Sequence, residues 1–329
     1  MAHTLVTGGN GFLGRAIVEQ LLARGDAVRV IGRNEYPELL ALGVECFVCD
    51  LATTAPPVAA LRGVDVIYHA AAKAGIWGKG DDFYQNNVTA TQRLVRAAVR
   101  AEVQKLIFTS TPSVVIGEED IEGGDESLPY PERYLAPYPW TKALAERYVL
   151  AQSDLLTTAI RPHLIWGPRD PHILPRLIQR AKSGRLRRIG DGTNQVDVTY
   201  IDNAAEAHLL AADALSAESP LRGRAYFIGQ ETPVNLWDFI NTLLARAGLA
   251  PVTKTLSYAR AMGLATFLER SYRTLRLGGE PPLTRLVVSE MTHSHWFDQS
   301  AARRDFGYGP RISIEEGLQR TFAESETAE

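Results

Sequence analysis

Cysteine, lysine and methionine are scarce in this 329-residue chain: two Cys, six Lys and three Met. The two cysteines, Cys46 and Cys49, stand three apart in "VECFVCD", a run that reads as a strand. Positions three apart on a strand face opposite ways, so the C-x-x-C spacing is neither a redox pair nor half of a metal site. His293 and His295 form an H-x-H with no further ligand pattern beside it, and no metal is expected. No apolar run approaches the roughly 18 residues of a membrane span. A net charge of -3 and a pI near 6.2 give no broad attraction for nucleic acid, which is excluded as a partner. Strand-like residues begin at His3, leaving no room for a signal peptide after Met1, and a cytoplasmic protein is expected. Repeats and low-complexity tracts are also missing.

What is present is an alternation of short β-branched runs with helical patterns, the mark of a parallel sheet covered on both faces. Strands are expected at Thr4–Thr7, Val28–Ile31, Val44–Cys49, Asp65–His69, Lys105–Ser110 and Thr158–Arg161, and helices at Phe12–Arg24, Tyr84–Arg100 and about 174–183. "QVDVTYIDNAAEAHLLAADAL" reads as one more strand and helix. From about Gln230 the rhythm is lost. The fold class is α/β, a doubly wound parallel (Rossmann) sheet with a smaller C-terminal substrate lobe. Residues 1–169 and 194–229 are assigned to the dinucleotide-binding domain, and 170–193 and 230–329 to the lobe. Ligands of such sheets bind beyond the carboxyl ends of the strands, so the lobe walls a cleft.

"TLVTGGNGFLGRAIVEQLL" sets Gly8, Gly11 and Gly14 where the first strand turns into a helix. Glycines there permit a tight turn and close approach of a pyrophosphate to the positive end of the helix. The second strand ends in Gly32-Arg33, where an NAD site usually carries an acid for the ribose 2′-hydroxyl. An arginine without the acid favours a 2′-phosphate, so NADP(H) is expected over NAD(H). Asp50, after the third strand, is a candidate for the adenine amino group or a turn residue.

The fifth strand ends in "FTSTPSVV", offering the hydroxyls of Ser110, Thr111 and Ser113. Downstream, "YPWTK" sets Tyr138 and Lys142 four apart, on one face of a helix. With 12 Tyr and six Lys, chance supplies roughly 0.2 such pairs, so the pair gains meaning only from the glycine turn and hydroxyl run. In that setting Tyr138 is a proton donor to a carbonyl oxygen, Lys142 stabilises its phenolate, and Thr111 holds the oxygen that gains negative charge.

These motifs resemble the extended short-chain dehydrogenase/reductases over nearly the whole chain: "TGGNGFLG", "CDL" at 49–51, "HAAA" at 69–72, Asn87 in "NNVTAT", the hydroxyl run before Y-x-x-x-K, and "RPHLIWGP" at 161–168. "YIDNAAEAHLLA" and "DQSAARRDFGYGP" make the 3β-hydroxysteroid dehydrogenase type the most similar branch. The resemblance implies catalysis by Tyr138 and Lys142, with Lys142 also on the nicotinamide ribose. It further implies cofactor contacts from Phe12, Leu13, Leu51, Ala70, Ala71, Ala72, Asn87, Pro162 and His163. The family often has Ser in place of Thr111, and Ser113 competes for that role or lines the substrate site with Trp77, Trp166 and Tyr200. "TPSVV…DIEGGDESLPYP" and "HILPRLIQRAKSGRLRRIGDG" extend the likeness to enzymes that reduce 2-alkyl-3-oxo acids on the way to long-chain olefins. The expected reaction is NADPH-dependent reduction of a lipid-like ketone. The alternatives are oxidation of a 3β-hydroxysteroid or 4-carboxysterol, sugar-nucleotide chemistry, and a non-catalytic NADPH sensor.

The acidic segment "GEEDIEGGDESLPYPERY" is expected to be a solvated flap over the cleft, with Arg161, Arg169 and His172 as counter-charges for a substrate carboxylate. In 258–276, Tyr258, Met262, Ala265, Leu268, Tyr272 and Leu275 form one helical stripe, read as packing, as a lid over an acyl chain, or as a peripheral membrane contact. The helices at 83–101 and 139–152 are the candidate homodimer pair, and other olefin-pathway enzymes are candidate partners.

Overall fold

The computed structural model describes residues 1–326. Seven strands with apolar runs form the central sheet, covered on both faces at its centre and open at one edge, where Val48 is exposed. They are β1 (His3–Thr7), β2 (Ala27–Gly32), β3 (Glu45–Val48), β4 (Val66–His69), β5 (Lys105–Thr109), β7 (Leu156–Pro162) and β12 (Arg224–Ile228), in the order β12-β7-β5-β4-β1-β2-β3. Every neighbouring pair is parallel, and the direction of winding reverses between β1 and β4.

Helices α1 (Phe12–Ala23), α2 (Pro37–Ala41), α3 (Val58–Leu61), α4 (Gly80–Phe83), α5 (Ala90–Arg100), α6 (Pro137–Leu150) and α7 (Ile173–Lys182) fall among or after the strands. Six more follow among the described residues: α8 (Ile201–Ala214), α9 (Leu236–Arg246), α10 (Tyr258–Thr274), α11 (Arg285–Glu290), α12 (Ser300–Phe306) and α13 (Ile314–Glu326). On one sheet face Val6, Tyr68, Ile107 and Ile160 meet Leu13, Ile17 and Leu21 of α1 and the alanines of α8. On the other, Leu5, Ile67, Leu106 and Phe108 meet Leu94, Val95 and Ala98 of α5 and Ala145 and Val149 of α6. The alternation along each strand thus builds two cores.

Three readings of the sequence change here. The helix before α5 begins at Gly80 and passes through a π-type turn, Tyr84–Thr89, a local widening that periodicity does not reveal. The strand in "QVDVTY" divides into β10 (Gln195–Val196) and β11 (Thr199–Tyr200), because Asp197 between them turns inward and its Oδ2 accepts from the Phe297 N–H at 2.8 Å. The acidic segment is no flap: Ile121–Gly124 is β6, paired in parallel with β15 (His295–Phe297). The Phe227 N–H donates to Glu126 at 3.0 Å, which further ties the segment down.

β6 and β15 join β10 and β13 (Val234–Asn235) in a second sheet of order β13-β10-β15-β6. Two short parallel pairs, β8 (Ile165–Trp166) with β11 and β9 (Arg188–Ile189) with β14 (Thr255–Leu256), brace the segments around it. The second sheet sets C-terminal residues against the carboxyl ends of β5 and β7.

Candidate active site

The register of the central sheet brings Thr7, His69, Phe108 and Ala159 into one row, so the residues that follow β1, β4, β5 and β7 emerge together. Gly8 leaves β1 at φ +69, and a Cβ there would lie 2.9 Å from Ala71 Cα. A Cβ on Gly14 would lie 2.1 Å from Gly8 O, so the first turn of α1 presses against the glycine loop. At the start of α1, Gly11 provides no side-chain cap and the first turn holds no acid. Its N–H groups and positive dipole end therefore face the cleft as an anion cradle. A dinucleotide pyrophosphate fits these residues.

The floor of the cradle is a hydrogen-bonded chain. Ala71 N–H donates to Thr7 Oγ1 (3.2 Å), Thr7 Oγ1 meets His69 Nδ1 (2.6 Å), His69 Nε2 meets Thr91 Oγ1 (2.8 Å), and Thr91 Oγ1 donates to Asn87 O (2.6 Å). Since Thr91 gives its proton to a carbonyl, His69 carries its own on Nε2 and accepts at Nδ1. Burial holds it neutral, with its pKa lowered to about 3. Asn87 clamps the loop after Ala72: its Oδ1 accepts from Lys73 N–H (2.7 Å), and its amide donates to Lys73 O (3.1 Å) and Thr141 Oγ1 (3.0 Å). With both amide protons used, Asn87 positions Ala70–Ala72 and leaves no donor for the cofactor.

At the adenosine end, Arg33 is exposed beyond β2, and a Cβ on Gly32 would strike the Tyr36 ring at 2.3 Å. The missing acid thus has a steric partner, Tyr36, which the sequence reading overlooked. Asp50 Oδ1 accepts from the Ala52 N–H at 3.0 Å, the turn role, while Leu51 is buried and Phe12 and Leu13 open α1.

At the other end, Thr111 hydrogen-bonds Tyr138, and its Oγ1 donates to Ser113 Oγ at 3.3 Å. Ser113 Oγ donates onward to Glu290 Oε1 at 3.5 Å. Burial, then the charge of Glu290, pushes the Tyr138 pKa up to about 12, against the lowering effect of Thr111. Lys142 is buried, donates from Nζ to Thr109 O at 2.6 Å and lies 4.0 Å from the Phe108 ring centroid. Burial brings it down to about 7, with Glu146 opposing. The expected lowering of the Tyr138 pKa by Lys142 is therefore not what this geometry produces: burial dominates, and Tyr138 stays protonated at neutral pH. Ser110 Oγ is buried without a partner among the described residues.

Pro162 ends β7, and His163 beyond it is buried, its Nε2 2.6 Å from His295 Nδ1. His295 Nε2 donates to Glu290 O at 2.9 Å, so its Nδ1 accepts and His163 Nε2 carries the proton. Burial lowers both imidazoles, His163 well below its ordinary value, and both are neutral.

Several candidates lie elsewhere. Trp166 and Tyr200 are 3% and 1% exposed and pack edge-on to each other, with Trp166 also against Phe239, which makes them core. The counter-charges are engaged or remote: Arg161 forms a buried pair with Glu146 at 2.6 Å, Arg169 pairs with Glu19, and His172 is exposed at the start of α7. Trp77 instead meets α10, edge-on to Tyr272 and 5.1 Å from the Arg273 guanidinium. The predicted stripe on α10 is rotated: Ala261, Ala265 and Glu269 face inward, while Tyr258 and Leu275 are exposed. The polar pull is the ion pair of Glu269 with Arg285 at 2.9 Å. A cavity of about 790 Å³ shares Gly11 and Phe12 with the cradle but none of the hydroxyls around Tyr138.

The profile of the 3-beta hydroxysteroid dehydrogenase/isomerase family matches residues 5–258, the span that holds the cradle, Thr111, Tyr138 and Lys142. The chain belongs to this family. Within the 3-beta hydroxysteroid dehydrogenase/isomerase family it is 46% identical to 2-alkyl-3-oxoalkanoate reductase of Stenotrophomonas maltophilia (strain K279a), across 98% of each chain. It is 35% identical to the decarboxylating sterol-4-alpha-carboxylate 3-dehydrogenase of Mus musculus, across 96% of this chain and 89% of that one. The solved structure of MoeE5 in complex with UDP-glucose and NAD superimposes with a TM-score of 0.76 at 26% identity, across 99% of both chains. The protein is an NAD(P)-dependent oxidoreductase of the short-chain dehydrogenase/reductase type that acts on a small molecule.

Proposed function

We propose that this protein is an NADPH-dependent reductase that converts a lipid-like 2-alkyl-3-oxo acid to the 2-alkyl-3-hydroxy acid in long-chain olefin biosynthesis. The observation that carries the reading is the protonated Tyr138 hydroxyl hydrogen-bonded to Thr111 at the end of β5. This pair lies in a chain nearly half identical to a reductase of that name. A bound nicotinamide supplies the hydride. Tyr138 gives its proton to the carbonyl oxygen, and Thr111 donates to the same oxygen as charge gathers there. Lys142, buried behind them with Nζ on Thr109 O, holds the carboxyl end of β5 and adds positive charge to the site when protonated. Pro162 and His163 wall the nicotinamide end; Arg33, the space above Gly32 and the Tyr36 ring favour a 2′-phosphate.

Residues 170–193 and 230–329 form the substrate lobe in this reading. Trp77 against Tyr272 and Arg273 joins it to the cleft, a contact suited to a lid over an acyl chain. Leu264, Phe267, Leu275 and Leu277 are exposed around α10 beside Arg260, Arg270 and Arg276, which favours peripheral contact with an anionic lipid surface. The exposed Tyr84–Trp140 pair, ring centroids 6.0 Å apart, supports a homodimer in which this face, with α5 and α6, meets its copy.

The test follows NADPH and NADH absorbance with a 2-alkyl-3-oxo acid, a steroid ketone, a 4-carboxysterol and no substrate. Turnover of the oxo acid with NADPH is expected, and Tyr138→Phe lowers it by about 10²–10⁴-fold. Undiminished activity in that variant sinks the role of Tyr138; better use of NADH sinks the argument from Arg33.

A further inference from the structure

Among the described residues, Glu290 is the one carboxyl that the C-terminal segment brings to the hydroxyls around Tyr138. It ends α11, far from Tyr138 in sequence, and closes the series Tyr138, Thr111 Oγ1, Ser113 Oγ, Glu290 Oε1, in which the last two steps are 3.3 and 3.5 Å. Thr111 donates to Ser113 and Ser113 donates to Glu290, so these two hydroxyl protons point toward the acid, the arrangement that carries a proton out. The backbone of Glu290 is fixed by His295 Nε2, itself held by His163 at the end of β7. A cavity of about 20 Å³, enough for one water, lies between Ser113 and Glu290 and is bordered by the exposed Glu118 and Arg133. The acid therefore faces the active hydroxyls on one side and a path to solvent on the other.

We propose that Glu290 is the proton reservoir that reloads Tyr138 through the Ser113 and Thr111 hydroxyls. The inference rests on the ketone-reductase reading but not on which ketone is the substrate. Each reduction leaves Tyr138 as a phenolate once its proton has gone to the substrate oxygen. The Thr111 and Ser113 hydroxyls then turn about their C–O bonds toward Tyr138, and the Thr111 proton moves to the phenolate oxygen, the Ser113 proton to Thr111, and the Glu290 carboxyl proton to Ser113. The resulting carboxylate takes a proton from water at the cavity mouth. Run backwards, the same chain exports the proton released in alcohol oxidation. No electrons move in the relay, and one proton enters per turnover.

Burial pushes the Glu290 carboxyl up to about 7, against the Ser113 hydrogen bond, so it both gives and regains a proton near neutrality. The other titratable groups facing it are Tyr138 on α6, His295 on β15, and Glu118 and Arg133 at the cavity mouth. Lys142 also falls near 7, so a break in a pH profile does not by itself identify Glu290.

The experiment compares wild type, Glu290→Gln and Ser113→Ala under two regimes, a single turnover with enzyme in excess and steady-state reduction of a 2-alkyl-3-oxo acid. Imidazole is titrated in as an external proton carrier. In Glu290→Gln the single-turnover rate is expected to stay within about twofold of wild type, while steady-state kcat falls about tenfold with little change in KM and recovers with imidazole; Ser113→Ala, which breaks the chain between Thr111 and Glu290, should lose steady-state kcat as well. The infrared difference between wild type and Glu290→Gln should contain a protonated-carboxyl band that titrates near neutral pH, the Asp197 band being common to both proteins and cancelling. Equal steady-state kcat in Glu290→Gln and wild type overturns the relay. So does an equal loss in single turnover that imidazole does not restore, because the acid would then be positioning the site. No wild-type turnover with any ketone overturns the reductase reading itself.

Discussion

Asp197 offers a measurement of the energetic strain at the junction between the central sheet and the C-terminal segment. It is 2% exposed, and among the described residues only the Phe297 N–H, at 2.8 Å, donates a hydrogen bond to its carboxylate. Burial raises its pKa from 3.8 to about 7. Between those values the folded protein holds a proton that the unfolded chain has released, so stability falls as pH rises through this window and is level above it. At about 1.4 kcal/mol per pH unit, the whole window is worth ~4 kcal/mol, and the part between pH 5 and 7 is worth ~2.7 kcal/mol. Asp197→Asn keeps an acceptor for Phe297 and removes the titration. Its new amide protons cost about 1–3 kcal/mol if unpaired, but that cost is the same at both ends of the range. Urea unfolding followed by tryptophan fluorescence at pH 5 and pH 8 should show wild type losing ~2–3 kcal/mol relative to the variant. Parallel pH dependences in the two proteins would refute the reasoning, because the other acids with raised pKa, Glu290 included, are common to both.

Two further substitutions probe the frame and the cradle. Glu146→Gln leaves the Arg161 guanidinium buried with its partner's charge removed, and Tyr130 loses its carboxylate acceptor; a loss of about 3–5 kcal/mol in unfolding free energy is expected by urea titration. Gly14→Ala sets a methyl group 2.1 Å from Gly8 O, so the loop and α1 must part. Calorimetric titration with NADPH should then show at least a tenfold weaker Kd while far-ultraviolet dichroism is retained; unchanged affinity would mean that the phosphates do not sit at this turn.

The parallel sheet was legible because its signals are local. Each strand is a short apolar run followed by a helical period, and the glycine spacing, "HAAA" and Y-x-x-x-K all fall at strand ends or helix starts. The errors lie where a distant partner decides. Asp197 broke a strand because it faces Phe297, a hundred residues away. The acidic segment became β6 because β15 offered an edge, and the stripe on α10 turned because Glu269 pairs with Arg285. Trp166 and Tyr200 were placed in the site by their aromatic character, yet aromatics of that size serve equally well as core, and burial against Phe239 made the choice.

The same limit explains why Glu290 escaped notice. In "LVVSEMTHS" it is one acid among 38 acidic residues, with no motif around it. Its meaning comes from Ser113, 177 residues earlier, and from His295, which fixes its backbone against β7. Tyr138 and Lys142 announce themselves by helical spacing; an acid that serves them through two hydroxyls has no such constraint on its position in the chain. A search for proton-handling groups in chains of this kind therefore has to follow the hydrogen bonds outward from the tyrosine, and here that route leads from Thr111 and Ser113 into the C-terminal segment and ends at a carboxyl poised near neutrality.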